Sequence, residues 1–249
     1  RNIIARMQSL EYARSFLAAR ILLDKINANM IISGAFGLFE KKTVIAVGGY
    51  DNSTMGEDME LVVRLHEFSR MNRKPYKIDF TQDAICWSQT PEKLSELGKQ
   101  RKRWQRGLFQ CMWGHRKMLA NPRYGAVGLL SYLYFLLYEL LSPFIELLGV
   151  LTMVLSVMMD MLNVKFMLVF LAYYALYGIL LTLTAYFSRI YTIDQRFSFR
   201  ELILAITACF FETTFLRFYL EFVRVTAFVG YKKNKLNWDK LERKKMNRI

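Results

Sequence analysis

The chain has 249 residues, with 35 basic and 21 acidic side chains, a formal net charge of +14 and a mean hydropathy of +0.14. This hydropathy is high for a soluble protein and modest for a bundle buried wholly in lipid, so we expect a polar first half and an apolar second half. The positive charge is not accompanied by an RNA- or DNA-binding motif, and we expect no nucleic-acid partner. Three scattered cysteines (Cys86, Cys111 and Cys209) without C-x-x-C spacing indicate neither a disulfide framework nor a zinc site.

The first elements are a helix and several short apolar runs. Residues 3–28 carry apolar side chains close to every 3.6 positions, which predicts a helix. The runs Met30–Ile32, Tyr76–Asp79 and Ala84–Trp87 are predicted to be strands. A glycine-permissive turn, Ser33–Gly37, is predicted to lead into one more strand.

Two further helices complete the polar half. One is predicted to begin at Glu57, with Asp58 in its first turn and an apolar face behind it; the other opens near Pro91 and runs into Gln100–Trp104. Strand, turn and helix in alternation indicate an α/β domain over residues 1–122. At ~120 residues this domain is short for a nucleotide-binding fold. Because the chain also starts without methionine, we expect it to be a fragment.

The second half, residues 123–229, is predicted to be an α-helical membrane region. Residues 143–162 and 165–187 are each long and apolar enough to cross a bilayer, which needs about 20 helical residues. Residues 124–142 and 201–229 are ambiguous. The first is bounded by prolines, and the second carries several charges, so each is either a span or an amphipathic interfacial helix.

Charge asymmetry suggests how these segments are arranged. Residues 230–249 contain eight Lys or Arg side chains against two acids and are predicted to be a basic cytoplasmic tail. If the polar half is cytoplasmic too, the number of crossings is even. Two spans with two interfacial helices keep the arginine-containing loop 188–200 on the cytoplasmic side, so we favour that arrangement over four spans.

The segment Gln100–Trp104, hereafter the QxxRW segment, carries the strongest chemical signal. Arg103 offers a planar fork for phosphate oxygens, and Gln100 lies on the same helical face three positions earlier. Trp104 offers a flat face on which a sugar can stack. The neighbouring cations Arg101, Lys102 and Arg106 are expected to form a solvated or headgroup-facing charge run, as such runs usually do.

Taken together, the features resemble processive family 2 glycosyltransferases, the membrane synthases of cellulose, hyaluronan and poly-N-acetylglucosamine. The resemblance rests on the Ser33–Gly37 turn, on Gly56-Glu57-Asp58 in the place of the family's T/G-E-D, on Q-x-x-R-W and on the trailing apolar helices. It covers nearly the whole chain and implies the second half of a GT-A-like α/β fold. No D-x-D metal motif precedes Ile31, so the expected Mg or Mn ligands do not lie in this chain.

The resemblance implies roles for particular residues. Asp58 would be the base, with Glu57 beside it, and Gln100 and Arg103 would bind the donor diphosphate. The predicted acceptor-binding residues are Trp104, Ser33, Gly34, Ala35 and Phe36.

Plainer interpretations stay open. Glu57 and Asp58 also suit the helix dipole as first-turn acids, and the turn also suits a purely structural role. The predicted gating tail is Trp238, Lys240 and Arg243, although an ordinary basic tail accounts for these residues too. His66 and His115 are expected to be surface residues or hydrogen-bonded polar residues.

The predicted activity is inverting transfer of a sugar from a nucleotide-sugar, UDP-linked by analogy, to a growing β-linked polysaccharide at the cell membrane. The enzyme would be multi-pass and processive, with translocation of the polymer, contacts to the lipid bilayer and accessory secretion subunits as further partners. This chain alone is expected to be inactive. One alternative is a non-processive enzyme of the family acting on a lipid or protein. Another is an inactive membrane scaffold or channel subunit.

Overall fold

A computed structural model of the chain describes residues 2–73, 77–81, 84, 86, 88–193, 199–232 and 236. Helices dominate this part of the chain. The α-helices are α1 (Ile3–Arg14), α2 (Ile21–Lys25), α3 (Lys41–Ala46), α4 (Glu57–Met71), α5 (Leu94–Gly114), α6 (Tyr132–Tyr134), α7 (Ser142–Met158), α8 (Val164–Ile193), α9 (Phe199–Phe211) and α10 (Arg217–Thr226). Between them lie π-helical turns at Ser15–Arg20, Val127–Ser131, Phe135–Leu140 and Glu212–Leu216, and 3₁₀ turns at Arg116–Met118 and Pro122–Tyr124.

The prediction of an α/β, GT-A-like domain is wrong for the described residues, which contain no strand. The predicted strand around Met30–Ile32 has no regular secondary structure and pairs with no other strand among the described residues. Short apolar runs fit a strand or an extended buried segment equally well, and the sequence alone could not separate them. Tyr76, Ile85 and Trp87, which belong to two of the predicted strands, lie outside the described residues.

Side chains satisfy the backbone where a sheet was expected. The amide of Ile78 donates to Asn27 Oδ1 at 3.1 Å, and the amide of Phe80 donates to Asp24 Oδ1 at 2.7 Å. Ser131 Oγ donates to the Ala28 carbonyl at 2.6 Å. Because buried backbone groups need a partner from some source, these bonds satisfy backbone groups that a strand ladder would otherwise pair.

The prediction that a helix begins at Glu57 is confirmed, because α4 starts at that residue. Three acids lie in its first turn, where the helix dipole stabilises negative charge. Behind them Leu61, Val62 and Val63 are fully buried, each worth about 1.5–3 kcal/mol. With apolar residues on two sides, α4 is the centre of the polar half.

Helix α5 packs across the start of α4 by a contact between two glycines. A Cβ added at Gly107 would lie 2.7 Å from the backbone nitrogen of Gly56, and one added at Gly56 would lie 3.1 Å from the Gly107 carbonyl carbon. The opposing atoms belong to the backbone and cannot rotate away. The two helices therefore approach this closely only because both positions lack a side chain.

The apolar helices of the second half pack directly on the polar half. Helix α1 lies against α8 and α9, and α5 lies against α10. A core cluster contains residues from both halves: Met7, Leu10, Leu97, Ala208, Cys209, Leu216 and Leu220. The predicted division at residue 122 is therefore a change in composition, and side-chain packing continues across it.

Two helical stretches are long and apolar enough to cross a membrane: Val164–Leu181 and Ile203–Thr226. The first lies within the predicted span 165–187 apart from its first residue, and the second lies within the ambiguous segment 201–229. The helical residues Val127–Leu140 meet α7 at a 46° bend. Together the two helices have the form of one broken span or of a re-entrant loop. The predicted span 143–162 corresponds to α7, which ends at Met158. The number of crossings stays a prediction.

The glycine contact leads to a stability prediction. Gly107→Ala should lower the apparent melting temperature of the complete protein in detergent, because overpacking against backbone costs about 1–3 kcal/mol. Gly114→Ala is the matched control on the same helix, since no atom lies within 4 Å of its added Cβ. Equal melting temperatures for the two variants would contradict the close approach.

Candidate active site

Asp58 and the turn at residues 33–37, hereafter the Gly34 turn, form one site although they are far apart in sequence. The Gly34 amide donates to Asp58 Oδ2 at 3.1 Å, and the Met59 amide donates to Asp58 Oδ1 at 2.8 Å. Both carboxylate oxygens are thus oriented by backbone N–H groups. Ala35 and Phe36 are exposed, while Asp58 and Glu57 are half-buried. The carboxylate therefore lies at an accessible edge of the fold.

Gly34 is suited to this position by its size. A Cβ at Gly34 would lie 3.3 Å from Asp58 Oδ2 and 3.4 Å from Asp58 Cβ. Any larger residue would press on the carboxylate. The Phe36 amide closes the turn by donating to the Ser33 carbonyl at 3.0 Å. The turn and the acid consequently hold each other in place.

Helix α5 carries the predicted donor- and acceptor-binding residues on the face that holds Gly107. Gln100, Arg103 and Trp104 precede Gly107 by seven, four and three positions, a spacing that puts them near its helical face. At 1.5 Å per residue they lie about 4–11 Å along the axis from the contact with Gly56. Gly56 directly precedes Glu57 and Asp58, so the glycine contact brings α5 next to the start of the helix that carries the acids.

Gln110 secures this arrangement from the next turn of α5. Its Oε1 accepts from the Met55 amide at 2.8 Å and from Thr54 Oγ1 at 3.2 Å. These bonds fix the loop that leads into α4. Gln110 was not among the predicted site residues. Only its position on the predicted helix, ten residues after Gln100, could have indicated it.

The QxxRW segment separates into exposed and buried members. Trp104 is 41% exposed, and Gln100 and Arg103 are half-buried. Gln100 Oε1 is buried and has no hydrogen-bond partner among the described residues.

The expectation that Arg101 and Arg106 are solvated is wrong. They are only 8% and 7% exposed. Arg101 Nη2 binds Glu11 Oε2 at 2.6 Å, and Arg106 Nε donates to the Ala227 carbonyl at 2.8 Å. Their partners come from α1 and from the residue after α10, which local sequence could not identify. Lys102, the third cation of the expected run, is half-buried.

A further cation lies in the electrostatic field of the candidate base. Burial lowers the pKa of Arg20 to about 10, while the negative charges of Asp58 and Glu139 act in the opposite direction. At neutral pH Arg20 is therefore a buried guanidinium whose charge is compensated in part by Asp58. The sequence analysis placed Arg20 on a helix and gave it no role.

Behind the site, α4 and the end of α5 are joined by a charged cluster. Arg64 Nη2 binds Glu60 Oε2 at 2.7 Å, and His115 lies 3.4 Å from Glu60 and 2.8 Å from Glu67. Burial lowers the pKa of His115, but its hydrogen bonds to both acids outweigh this, and the net shift is upward. Burial raises the pKa of Glu60, and its bonds to His115 and Arg64 outweigh this, giving a net decrease.

Both histidines are hydrogen-bonded side chains. His66 is buried, with Nε2 2.8 Å from the Asn29 carbonyl, and burial lowers its pKa to about 4. His66 is therefore neutral at physiological pH and donates from Nε2. The expectation of hydrogen-bonded polar residues is confirmed for His66 and His115.

Some predicted features lie elsewhere. Trp238, Lys240 and Arg243 are outside the described residues. A shallow hollow lined by Val47, Arg64, Glu67 and neighbouring residues lies toward the far end of α4 and contains none of the predicted site residues. A catalytic group must lie within hydrogen-bond reach of the proton it takes, and the volume of a hollow does not ensure that. The surface around Asp58 is therefore the candidate site.

Comparison with known proteins identifies the family. The model of Glycosyl transferase family group 2 matches residues 1–229, which include every described candidate site residue. The chain belongs to the family 2 glycosyltransferases. This is the family that the sequence motifs resembled.

Curated relatives of this family 2 glycosyltransferase include two named as synthases. Over 120 residues it is 32% identical to poly-beta-1,6-N-acetyl-D-glucosamine synthase of Staphylococcus aureus strain COL and to the protein of that name in Staphylococcus epidermidis. The aligned segment covers 48% of this chain and 26% of each relative. No solved structure matches the chain significantly.

Family 2 glycosyltransferases commonly use divalent cations. Within the described ranges, no group of three or more His, Cys, Asp or Glu side chains is close enough together to bind a metal ion. The described residues therefore supply no ligand set for the expected Mg or Mn ion.

The His115 cluster leads to a pH prediction. The raised pKa of His115 means that its contribution to stability is complete below its ordinary pKa of 6.5 and is lost as pH rises through the folded-state value. The lowered pKa of Glu60 means that its contribution is present above 4.5 and is lost as pH falls through its folded-state value. We expect the unsubstituted protein to lose stability, relative to His115→Gln, as pH rises above about 6.5.

The melting temperatures of the unsubstituted protein and of His115→Gln are measured across a pH range. The range runs from about two pH units below neutrality to about two above it and contains the titration of histidine. Taking the difference removes the contribution of His66, whose lowered pKa acts with the opposite sign. Parallel curves for the two proteins would show that the His115 cluster does not bind a proton on folding.

Proposed function

We propose that this family 2 glycosyltransferase transfers a sugar from a UDP-sugar to the growing end of a β-linked polysaccharide, with inversion at the anomeric carbon. The observation that carries the proposal is the hydrogen bond from Gly34 to Asp58, since it puts the carboxylate at the turn on which the acceptor would rest. The relatives named as synthases of a β-linked polymer support the same acceptor class.

In the proposed reaction Asp58 acts on the acceptor. One Asp58 oxygen takes the proton from an acceptor hydroxyl as that oxygen forms a bond to the anomeric carbon. The bond between the anomeric carbon and the diphosphate oxygen breaks on the opposite side, and the electron pair leaves with the diphosphate. Glu57, next to Asp58 in the first turn of α4, would help to orient the acceptor.

Gln100 and Arg103 would stabilise the leaving group. Negative charge grows on the diphosphate as the bond breaks, and donors arranged in advance are most effective there. Arg103 supplies a planar cation, and the Gln100 amide supplies an N–H group one turn earlier on the same face.

Trp104 and the Gly34 turn would hold the polymer. The 41% exposed indole offers a face for the acceptor sugar. Gly34, Ala35 and Phe36 are exposed beside the base, and Ser33 is half-buried with them. Because a flat face binds any residue of a repeating polymer, this surface favours processive elongation.

We further propose that the enzyme is multi-pass at the cell membrane, with residues 1–122 and the basic tail 230–249 on the cytoplasmic side. The candidate spans pack on the catalytic helices, which supports translocation of the product close to where it is made. A divalent cation, lipid contacts, accessory secretion subunits and a gating role for Trp238, Lys240 and Arg243 complete the proposal.

The base assignment is tested by Asp58→Asn in the complete protein in membranes. Transfer should fall by at least about 100-fold, because general base catalysis contributes on that scale. Donor binding should survive, since Asp58 is not proposed to touch the diphosphate. Released UDP and polymer product are the two readouts.

Asp51→Asn is the matched control. Asp51 lies in the loop before α4 and, like Asp58, accepts from a backbone amide, that of Ser53 at 2.8 Å, a bond that asparagine can keep. It should retain full transfer. Normal turnover by Asp58→Asn would remove Asp58 from the role of base. An unsubstituted protein without any turnover would instead favour the inactive-scaffold alternative.

The acceptor platform is tested by Trp104→Ala. Polymer length should fall by about 10-fold or more while donor hydrolysis continues, because the acceptor is lost from the correct geometry. Trp113→Ala is the matched control, since this tryptophan is 63% exposed on the same helix and also has an arginine over its ring. Equal loss of elongation and hydrolysis in Trp104→Ala would argue against the platform and for a non-processive enzyme.

A further inference from the structure

Arg101 lies beneath Trp104 in an arrangement that the proposed reaction does not use. The guanidinium carbon is 4.5 Å from the centroid of the Trp104 ring and 5.9 Å from the centroid of the Tyr12 ring. The two rings are 6.4 Å apart and inclined at 39°. One cation therefore contacts two aromatic rings, one from α5 and one from α1.

Glu11 fixes the position of that cation. Its Oε2 accepts from Arg101 Nη2 at 2.6 Å, and the Arg101 side chain is only 10% exposed. A buried guanidinium is stable only with such a partner, so removing the carboxylate would leave an unpaired charge under the indole. Arg101, Glu11 and Tyr12 are hereafter called the Trp104 clamp.

A second arginine–tryptophan pair, at the end of α5, shows what is distinctive about the clamp. Arg116 lies 5.3 Å from the Trp113 ring centroid, but Arg116 is exposed and donates to the Trp113 carbonyl at 3.1 Å. Solvent exposure of the cation weakens the attraction in this pair, whereas the cation beside Trp104 is buried. Of the two tryptophans, Trp104 is thus the one whose orientation a buried charge determines.

We propose that the Trp104 clamp is a positioning device that fixes the plane of the indole so that its exposed face meets the acceptor sugar. Arg101 and Glu11 are positioning residues that act through Trp104. This inference rests on the proposed role of Trp104 in acceptor binding. It gives α1 a part in acceptor geometry, because Glu11 and Tyr12 both lie on that helix.

The orientation of the indole is measured directly by fluorescence. With Trp87, Trp113 and Trp238 changed to phenylalanine, Trp104 is the single tryptophan of this chain. Any tryptophans elsewhere in the complete protein are replaced in the same way. Glu11→Gln and Arg101→Gln should each lower the steady-state anisotropy of Trp104 and increase its quenching by acrylamide. Lys102→Gln, which removes the adjacent charge, should change neither.

Activity provides the second readout. Glu11→Gln and Arg101→Gln should shorten the polymer by about 10-fold while donor hydrolysis remains at the unsubstituted level, because only the acceptor platform is disturbed. A role confined to folding would lower both activities in parallel with the amount of folded protein. Arg101→Lys keeps the charge and the partner but loses the planar stack, so it should fold and give an intermediate anisotropy and polymer length.

The outcomes separate this inference from the proposed function. If Trp104→Ala shortens the polymer but Arg101→Lys and Glu11→Gln change neither anisotropy nor polymer length, the clamp is refuted and the platform stands. If Trp104→Ala leaves elongation normal, Trp104 is not the acceptor platform. The clamp then has no role in acceptor geometry, even if the clamp variants change the anisotropy of Trp104. Parallel loss of elongation and hydrolysis in Arg101→Lys also overturns the clamp.

Discussion

The contact between Gly56 and Gly107 is the constraint on which the site depends. It lets the backbone of α5 touch the backbone that enters α4. Through this contact, a helix rich in arginine and tryptophan lies across the first turn of a helix rich in acids. Without it, Asp58 would keep its bond to Gly34, but the QxxRW segment would no longer be set at a fixed height above it.

Charge burial follows from the same packing. Helix α5 is enclosed by α1, α4 and α10, so several of its polar side chains cannot reach water. The structure compensates each one with a specific partner: Glu11 for Arg101, the Ala227 carbonyl for Arg106, and Arg224 for Gln105. Such pairs give little net stability compared with apolar packing, but breaking one is costly. They define where α5 can sit.

The sequence predicted the parts of this protein whose signals are local. The start of α4 at Glu57 was predictable, because first-turn acids and an apolar period reinforce each other. The family was also predictable, from motifs in order along the chain. A strand at Met30–Ile32 was predicted wrongly, since a strand needs a neighbouring strand and none lies beside this segment among the described residues.

The burial of Arg101 and Arg106 could not be predicted from the sequence, and neither could the hydrogen bond between Gly34 and Asp58. Each depends on a partner distant in the chain: Glu11 and Arg101 are separated by 90 residues, and Arg106 and Ala227 by 121. A run of cations is predicted to be solvated until its partners are placed in space. Residue type alone did not distinguish these cations, and packing decided that Arg101 and Arg106 are buried.

Gln105 has a mechanical consequence. Its Nε2 donates to the Leu140 carbonyl at 3.0 Å, and its Oε1 accepts from Arg224 Nε at 2.9 Å. Its backbone neighbour is Trp104. A single amide therefore joins α5 to α10, the end of one stretch long enough to cross a bilayer, and to the bend before α7. A displacement of α10 or of the bend would act through this amide on the residue next to Trp104.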